Sequence, residues 1–318
     1  FGTCFEDSDF LKDCLLSIYK QTIKPQEIIL IDSSKSDQIL EVLKEIFKLE
    51  KTKIIYKNIN LPRVKALNYA ISLSNADFLI RFDSRTRFSK NYSELALKIF
   101  NDKSKINFSN AVIGGRQNAL AADSSLNAKL AADIMNRSYI FGNPLYRRDN
   151  YNGKVNSIYL GCFPRKILLE TPYREEVSLI SEDSQICYDI ISKGYDIYIF
   201  QTLKLNYLCR DNLISVIKLF RQYGRCRART ILSTKTIHDK KKFVLILSLT
   251  IILPFLTFIF FAENVFFGVI LIFILPLIYD FYHELKNYGF KKIFYIPFIA
   301  LVSQISWGLG LLETLALY

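Results

Sequence analysis

Pro25-Gln26-Glu27-Ile28-Ile29-Leu30-Ile31-Asp32-Ser33-Ser34-Lys35-Ser36-Asp37 is the stretch that decides the fold. The uninterrupted aliphatic run Ile28 to Ile31 reads as a strand covered on both faces, since a strand with one wet face alternates apolar and polar residues. Pro25 breaks the chain before it and Asp32-Ser33-Ser34 ends it. Upstream, Phe10, Cys14, Leu15, Ile18 and Tyr19 share one helical face, and downstream Ile39, Leu43, Ile46 and Phe47 share another. The alternation continues with a strand at Lys53-Ile54-Ile55-Tyr56, a helix carrying Val64, Leu67, Ala70 and Ile71, and a strand at Asp77-Phe78-Leu79-Ile80-Arg81-Phe82. Helices between apolar strands predict right-handed βαβ units in an open α/β sheet.

Asp32 and Asp83 each stand just past the carboxyl end of an expected strand, the edge at which open α/β sheets bind ligands. A turn-forming aspartate is the competing reading of either one. The middle of the chain is less regular. Val112-Ile113-Gly114-Gly115 and Asn156 to Arg165 read as further strands, the second closed by Pro164. Glu182-Asp183 falls in the first turn of a helix marked by Ile186 and Ile190 and ended by Gly194. There the acids serve either chemistry or the helix dipole.

The chain has 318 residues, half of them hydrophobic, 14% aromatic and 23% charged, which excludes a disordered chain, a collagen or a small disulfide scaffold. It begins at Phe1 rather than Met, which reads as a truncated start. Its six cysteines form no CxxC pair, so neither a zinc site nor a disulfide framework is indicated. The net charge is +12. Eleven Lys or Arg against two Asp lie between Gln201 and Phe243, so nine of those twelve charges fall in one stretch. An apolar tail follows, with long stretches at Phe243–Phe261, Val265–Tyr279 and Ile293 to Leu312. These predict about three transmembrane helices, with the basic flank and Lys286, Lys291 and Lys292 facing the cytoplasm. No nucleic-acid-binding motif accompanies the charge, so membrane lipids rather than nucleic acid are the expected partners. The expected division is a domain over residues 1–235, including a basic amphipathic helix over about 212–230, and a membrane domain over 243–318.

A cytoplasmic α/β domain with strand-end acids on a membrane anchor suits an enzyme that joins a phosphorylated donor to a lipid-linked acceptor. The motifs sharpen this. Phe5-Glu6-Asp7, Cys14-Leu15-Leu16-Ser17-Ile18-Tyr19-Lys20-Gln21 and Pro25 to Asp37 are followed in order by Ala66-Leu67-Asn68, Arg81-Phe82-Asp83-Ser84-Arg85, Glu182-Asp183 and Gln222-Tyr223-Gly224-Arg225-Cys226. This series resembles the family-2 GT-A glycosyltransferases, most of all the membrane-anchored succinoglycan type of exopolysaccharide synthesis. Cys226 stands where the last motif has Trp.

The resemblance implies a GT-A (Rossmann-like) nucleotide-sugar domain with an open mixed sheet, and it implies roles for particular residues. Asp32 would contact the nucleotide base, favouring a UDP-sugar, with Glu6 helping to hold the nucleoside. Asp83 would be the first acid of a DxD motif holding a divalent cation, Mg2+ or Mn2+. Arg85 stands at the second acid's place and, being permanently protonated, does not ligate a cation. Either the metal rests on Asp83 and phosphate alone, or Arg85 binds the diphosphate itself, or activity is lost. Asp183 would be the general base, supported by Glu182. Gln222 and Arg225 would border the donor diphosphate and the acceptor, while Arg63 and Lys65 read either as contacts to the diphosphate or, the more ordinary reading, as solvated helix charges. The function implied is an inverting transfer of sugar from a nucleotide-sugar to a lipid-linked saccharide acceptor, at the cytoplasmic side of the inner or plasma membrane. The alternative is a non-catalytic, membrane-bound sugar-nucleotide binder.

Overall fold

The computed structural model describes residues 1–47, 53–102, 110–136, 145–148, 150–175, 181–234 and 295–317. The chain divides into two compact units, Phe1–Leu120 with Asn143–Cys209, and Ala121–Gly142 with Arg210–Tyr318.

In the first unit, strands β1 (Gly2–Cys4), β2 (Glu27–Asp32) and β3 (Lys53–Asn58) alternate with helices α1 (Ser8–Tyr19), α2 (Gln38–Phe47) and α3 (Arg63–Leu73). Strands β4 (Phe78–Ile80), β5 (Phe82–Asp83) and β6 (Thr86–Phe88), helix α4 (Tyr92–Asn101) and strand β7 (Ala111–Leu120) follow. One sheet runs in the order β3-β2-β1-β5, with every pair parallel. The consecutive aliphatics of β2 explain themselves there. Ile29 and Ile31 pack on one side with Val64, Leu67, Ala70 and Ile71 of α3. Ile28 and Leu30 pack on the other with Leu11, Leu15 and Tyr19 of α1 and Ile39, Leu43 and Ile46 of α2. Side chains alternate across a strand, so a strand roofed on both faces must be apolar throughout.

The second sheet contains β4, β7, β8 (Gly153–Lys154), β9 (Cys162–Pro164) and the long β10 (Asp196–Leu208), along with β6. Its order is β4-β9-β7-β10-β6, with β8 also on β10; β7 and β10 are parallel, and the other pairs are antiparallel. The second sheet is therefore mixed, as expected, while the first is wholly parallel. Two expectations need adjusting. The strand read at residues 77–82 is two strands in two sheets, and Arg81 is the residue between them; its N–H reaches the Gly161 carbonyl while that of Phe82 reaches Phe1. Of the strand read at 156–165, only Cys162–Pro164 is extended, because Leu160 and Gly161 have φ of 59° and 115° and turn the chain. Pro164 then precedes α6 (Arg165–Glu170). Helix α7 (Glu182–Ser192) starts and stops where the sequence indicates, with both acids in its first turn and Gly194 at φ 88° beyond its end.

The second unit contains α5 (Leu126–Asn136), α8 (Leu213–Thr234) and α9 (Tyr295–Ala316). Helices α8 and α9 approach closely at two glycines. A Cβ on Gly224 would lie 1.9 Å from the Trp307 carbonyl oxygen, and one on Gly310 would lie 2.1 Å from that of Arg221. Ser306 donates to the Ile217 carbonyl at 3.1 Å. Of the three expected membrane spans, those at 243–261 and 265–279 lie outside the described residues. The third coincides with α9, but among the described residues no helix is long and apolar enough to cross a membrane. Helix α9 buries Ser303, Ser306 and Thr314 and carries Glu313.

Candidate active site

The first unit brings Asp32 and Asp83 to the same sheet edge. Cys4 and Thr3 of β1 lie in register with Asp32 on one side and Asp83 on the other. One intervening strand puts the two acids about 10 Å apart at the usual strand spacing.

Asp32 is fully buried. Its Oδ1 accepts from the Ser34 N–H at 2.8 Å, and its Oδ2 accepts from the Tyr56 hydroxyl at 2.7 Å and the Asn58 amide at 3.2 Å. Parallel pairing of β2 and β3 places Asn58 directly beside Asp32, which is why these groups meet. Of this cluster, Asn58 is the exposed member. Glu6 closes the loop above it: its carboxylate accepts from the Lys35 N–H and the Ser36 hydroxyl, both at 2.9 Å, while its own N–H donates to the Ser34 hydroxyl at 2.8 Å. These bonds hold Glu6 at φ 50°, a region that side chains other than Gly seldom adopt. The Lys35 N–H, then the Ser36 hydroxyl, keep its carboxyl below the usual range.

The remaining acids form a chain of alternating charge. Nη2 of Arg63 donates to both Asp83 oxygens, at 3.1 and 2.9 Å, and its Nε makes an ion pair with Glu182 Oε1 at 2.7 Å. The same Glu182 oxygen accepts from Arg81 Nη2 at 3.2 Å, and Arg81 Nη1 donates to Asp183 Oδ1 at 2.5 Å. Arg81 is 1% exposed, and Nη1 also reaches the Tyr173 hydroxyl at 3.1 Å. Asn68 grips the backbone of Tyr173 from both sides, donating to its carbonyl at 2.8 Å and accepting from its N–H at 2.9 Å. The Ala66-Leu67-Asn68 motif thereby supports the segment that carries the Arg81 partner.

Charge and burial set the protonation of this chain. Burial works against the Arg81 charge, but Asp183, then Tyr173 and Glu182, outweigh it and keep the guanidinium protonated. Burial also raises Glu182, yet Arg63 and Arg81 hold it below the ordinary carboxyl range. Asp183 lies above that range: loss of hydration raises it, Arg81 opposes, and Glu182 adds to the rise. A carboxylate that is more basic than usual, with its Oδ1 fixed by Arg81, is a suitable acceptor for a hydroxyl proton.

The expected cation does not fit the residues present. Among the described residues, no group of three or more His, Cys, Asp or Glu could hold a metal ion. Both oxygens of Asp83 are already turned to Arg63. Two unit charges 4 Å apart interact by about 4 kcal/mol near a protein surface, and a dication beside that guanidinium would double the repulsion. In this structure Asp83 serves as the acceptor for Arg63.

Arg85, Gln222 and Arg225 have partners of their own. Arg85 packs over the Phe10 ring, 3.7 Å from its centroid, and donates to the Cys209 carbonyl at 3.1 Å. It clamps α1 to the end of β10. Gln222 and Arg225 lie on α8 in the second unit, where Gln222 is exposed and Arg225 donates to Glu313 at 2.9 and 3.2 Å, alongside Arg221. Arg81, Tyr56, Asn58 and Tyr173 were missed by sequence reasoning, and the pairing of Arg63 with Asp83 and Glu182 was not foreseen. Arg81 did leave a signal, since an arginine inside an apolar strand must find a buried counter-charge.

The model of the family described as Glycosyl transferase family 2 matches residues 3–168. A curated relative from Methanococcus voltae, "Dolichyl N-acetyl-alpha-D-glucosaminyl phosphate 3-beta-D-2,3-diacetamido-2,3-dideoxy-beta-D-glucuronosyltransferase", is 25% identical over 238 residues, 71% of either chain. Among solved structures, S. aureus TarS aligns over 83% of this chain and 43% of its own, with 14% identity and a TM-score of 0.46. GalNAc-T7 with UDP, GalNAc and Mn2+ aligns over 71% and 47%, with 13% identity and a TM-score of 0.48. The chain thus spans less than half the length of these two structures.

Proposed function

As this chain belongs to glycosyl transferase family 2, we propose that it is an inverting, membrane-anchored transferase that moves a sugar from a UDP-linked donor to a lipid-linked saccharide in cell-surface glycan or exopolysaccharide synthesis. The observation that carries this reading is the joining of Asp83 to Asp183 through Arg63, Glu182 and Arg81. Donor and acceptor ends of one reaction are thereby held in a single frame. The nucleoside lies against the Asp32 cluster, where exposed Asn58 offers its amide and Asp32 stands behind it. The diphosphate extends along the edge toward Asp83. At the other end, the acceptor hydroxyl attacks the anomeric carbon while Asp183 removes its proton. The bond from that carbon to the diphosphate oxygen breaks on the opposite face, and the nucleoside diphosphate leaves. Single displacement of this kind inverts the anomeric centre.

The lipid-linked acceptor is supported by the name of the archaeal relative, which acts on a dolichyl-phosphate-linked sugar. Anchorage, with the α/β unit on the cytoplasmic side, is supported by the basic stretch before the apolar tail.

The test is transfer of radiolabelled sugar from a UDP-sugar panel to membrane lipids, using the full chain and Asp183→Asn. The expected result is transfer by the native chain and its loss in the variant while UDP still binds. UDP binding without transfer by the native chain would favour a sugar-nucleotide binder. Undiminished transfer by the variant would remove Asp183 as the base.

A further inference from the structure

Resting on the nucleotide-sugar reading above, we propose that Arg63 is this chain's own cation for the donor diphosphate, and that nucleotide binding here needs no divalent metal. Three observations carry it. The first is the engagement of Asp83, whose two oxygens accept from a single Arg63 nitrogen. A metal would have to displace that guanidinium or stand against it.

The second is the way Arg63 is delivered. The chain from Asn58, in the Asp32 cluster, to Arg63 is tied to the end of β2. The Ile59 N–H donates to the Asp32 carbonyl at 2.8 Å, and the Ser33 hydroxyl donates to the carbonyls of Ile59 at 3.2 Å and Leu61 at 3.0 Å. Pro62 then precedes α3, so the first helical residue stands between the nucleoside cluster and Asp83. The third is what Arg63 does not do for its helix. A cation in the first turn opposes the helix dipole, and α3 has no acid there to offset it. The side chain is 46% exposed, and its contacts to Asp83 and Glu182 are made through Nη2 and Nε. Arginine presents planar, paired donors that match phosphate oxygens. With Asp83 and Glu182 orienting two of its nitrogens, the third faces an incoming diphosphate. Asp83 then acts as the holder of the cationic arm.

The experiment is calorimetric titration of UDP into the purified full chain, in EDTA and in Mn2+, for the native protein, Arg63→Met and Arg63→Lys. Circular dichroism confirms that the variants fold. Native affinities in the two buffers are expected to agree within about threefold, with Arg63→Met weaker in EDTA by about tenfold or more and Arg63→Lys recovering part of the loss. Native binding at least about tenfold tighter in Mn2+ than in EDTA would overturn the proposal and leave the nucleotide reading intact. Arg63→Met binding UDP as tightly as the native chain in EDTA would overturn it as well. If UDP, GDP and TDP all failed to bind in either buffer, the nucleotide reading itself would fall, and this inference with it.

Discussion

Arg81 Nη1 lies 2.5 Å from Asp183 Oδ1, joining residues 102 positions apart in the chain. Arg81 stands where the chain passes from one sheet to the other, and Asp183 stands in the first turn of α7. The contact fixes one oxygen of the proposed base and balances part of its charge. Its position at a sheet crossing ties the orientation of the base to the fold.

Replacing Asp183 by Asn keeps the shape and removes the basic oxygen. Sugar transfer should fall by about 10²–10⁴-fold, the usual contribution of a positioned general base. Rates from a radiolabelled donor would check this, and a loss below about tenfold would make the role of Asp183 structural.

The pH dependence of transfer follows from the same pair. Asp183 lies above the ordinary carboxyl range because folding strips part of its hydration and Glu182 adds a like charge, which together outweigh Arg81. It must be ionised to accept a proton, so activity should be lost as pH falls through that raised value and should level off above it. Arg81→Met removes an opposing charge but leaves Glu182 in place. The acid limb of kcat/KM should then move to higher pH, whereas a purely structural arginine would lower the rate at every pH without moving the limb.

Arg81→Met should also destabilise the fold. Removing one partner of a fully buried ion pair typically costs about 3–5 kcal/mol, and the loss here should fall below that, because Glu182 keeps Arg63 as a partner and the Asp183 side chain is 39% exposed. Urea unfolding of the native chain and the variant would measure this.

Arg85 separates two readings of its motif. Packed on Phe10 and bonded to the Cys209 carbonyl, it should act as a clamp. Arg85→Ala should lower stability by about 1 kcal/mol, from the cation–π contact and the hydrogen bond, and should leave UDP affinity within about threefold. A large loss of affinity at unchanged stability would restore the diphosphate role.

Gly115 supports the long strand pair. A Cβ there would lie 1.9 Å from the Leu203 carbonyl oxygen, at the point where the β7–β10 register shifts between Phe200 and Lys204. Gly115→Ala should cost about 1–3 kcal/mol through forced backbone movement. Thermal or urea unfolding would show it.

Much of the frame was legible in the residues themselves. The aliphatic run Ile28–Ile31 announced a strand roofed on both faces, and the acids 32 and 83 were marked by standing where strands end. Ile186, Ile190 and Gly194 bounded the helix that opens on Glu182 and Asp183. Such signals are local: side-chain period, breakers and caps are written within a few residues of the feature they define.

The partners of those acids were decided only by the tertiary structure. Nothing near residue 183 indicates that its counter-charge is Arg81, and nothing in the first turn of α3 distinguishes Arg63 from a solvated cation. Asn58 meets Asp32 because two parallel strands share a register, and Arg63 meets Asp83 and Glu182 because a tethered turn aims it there. Local pattern determines which residues lie at an edge. Strand order and the paths between strands decide which charges face one another across it, and the chemistry depends on those pairings.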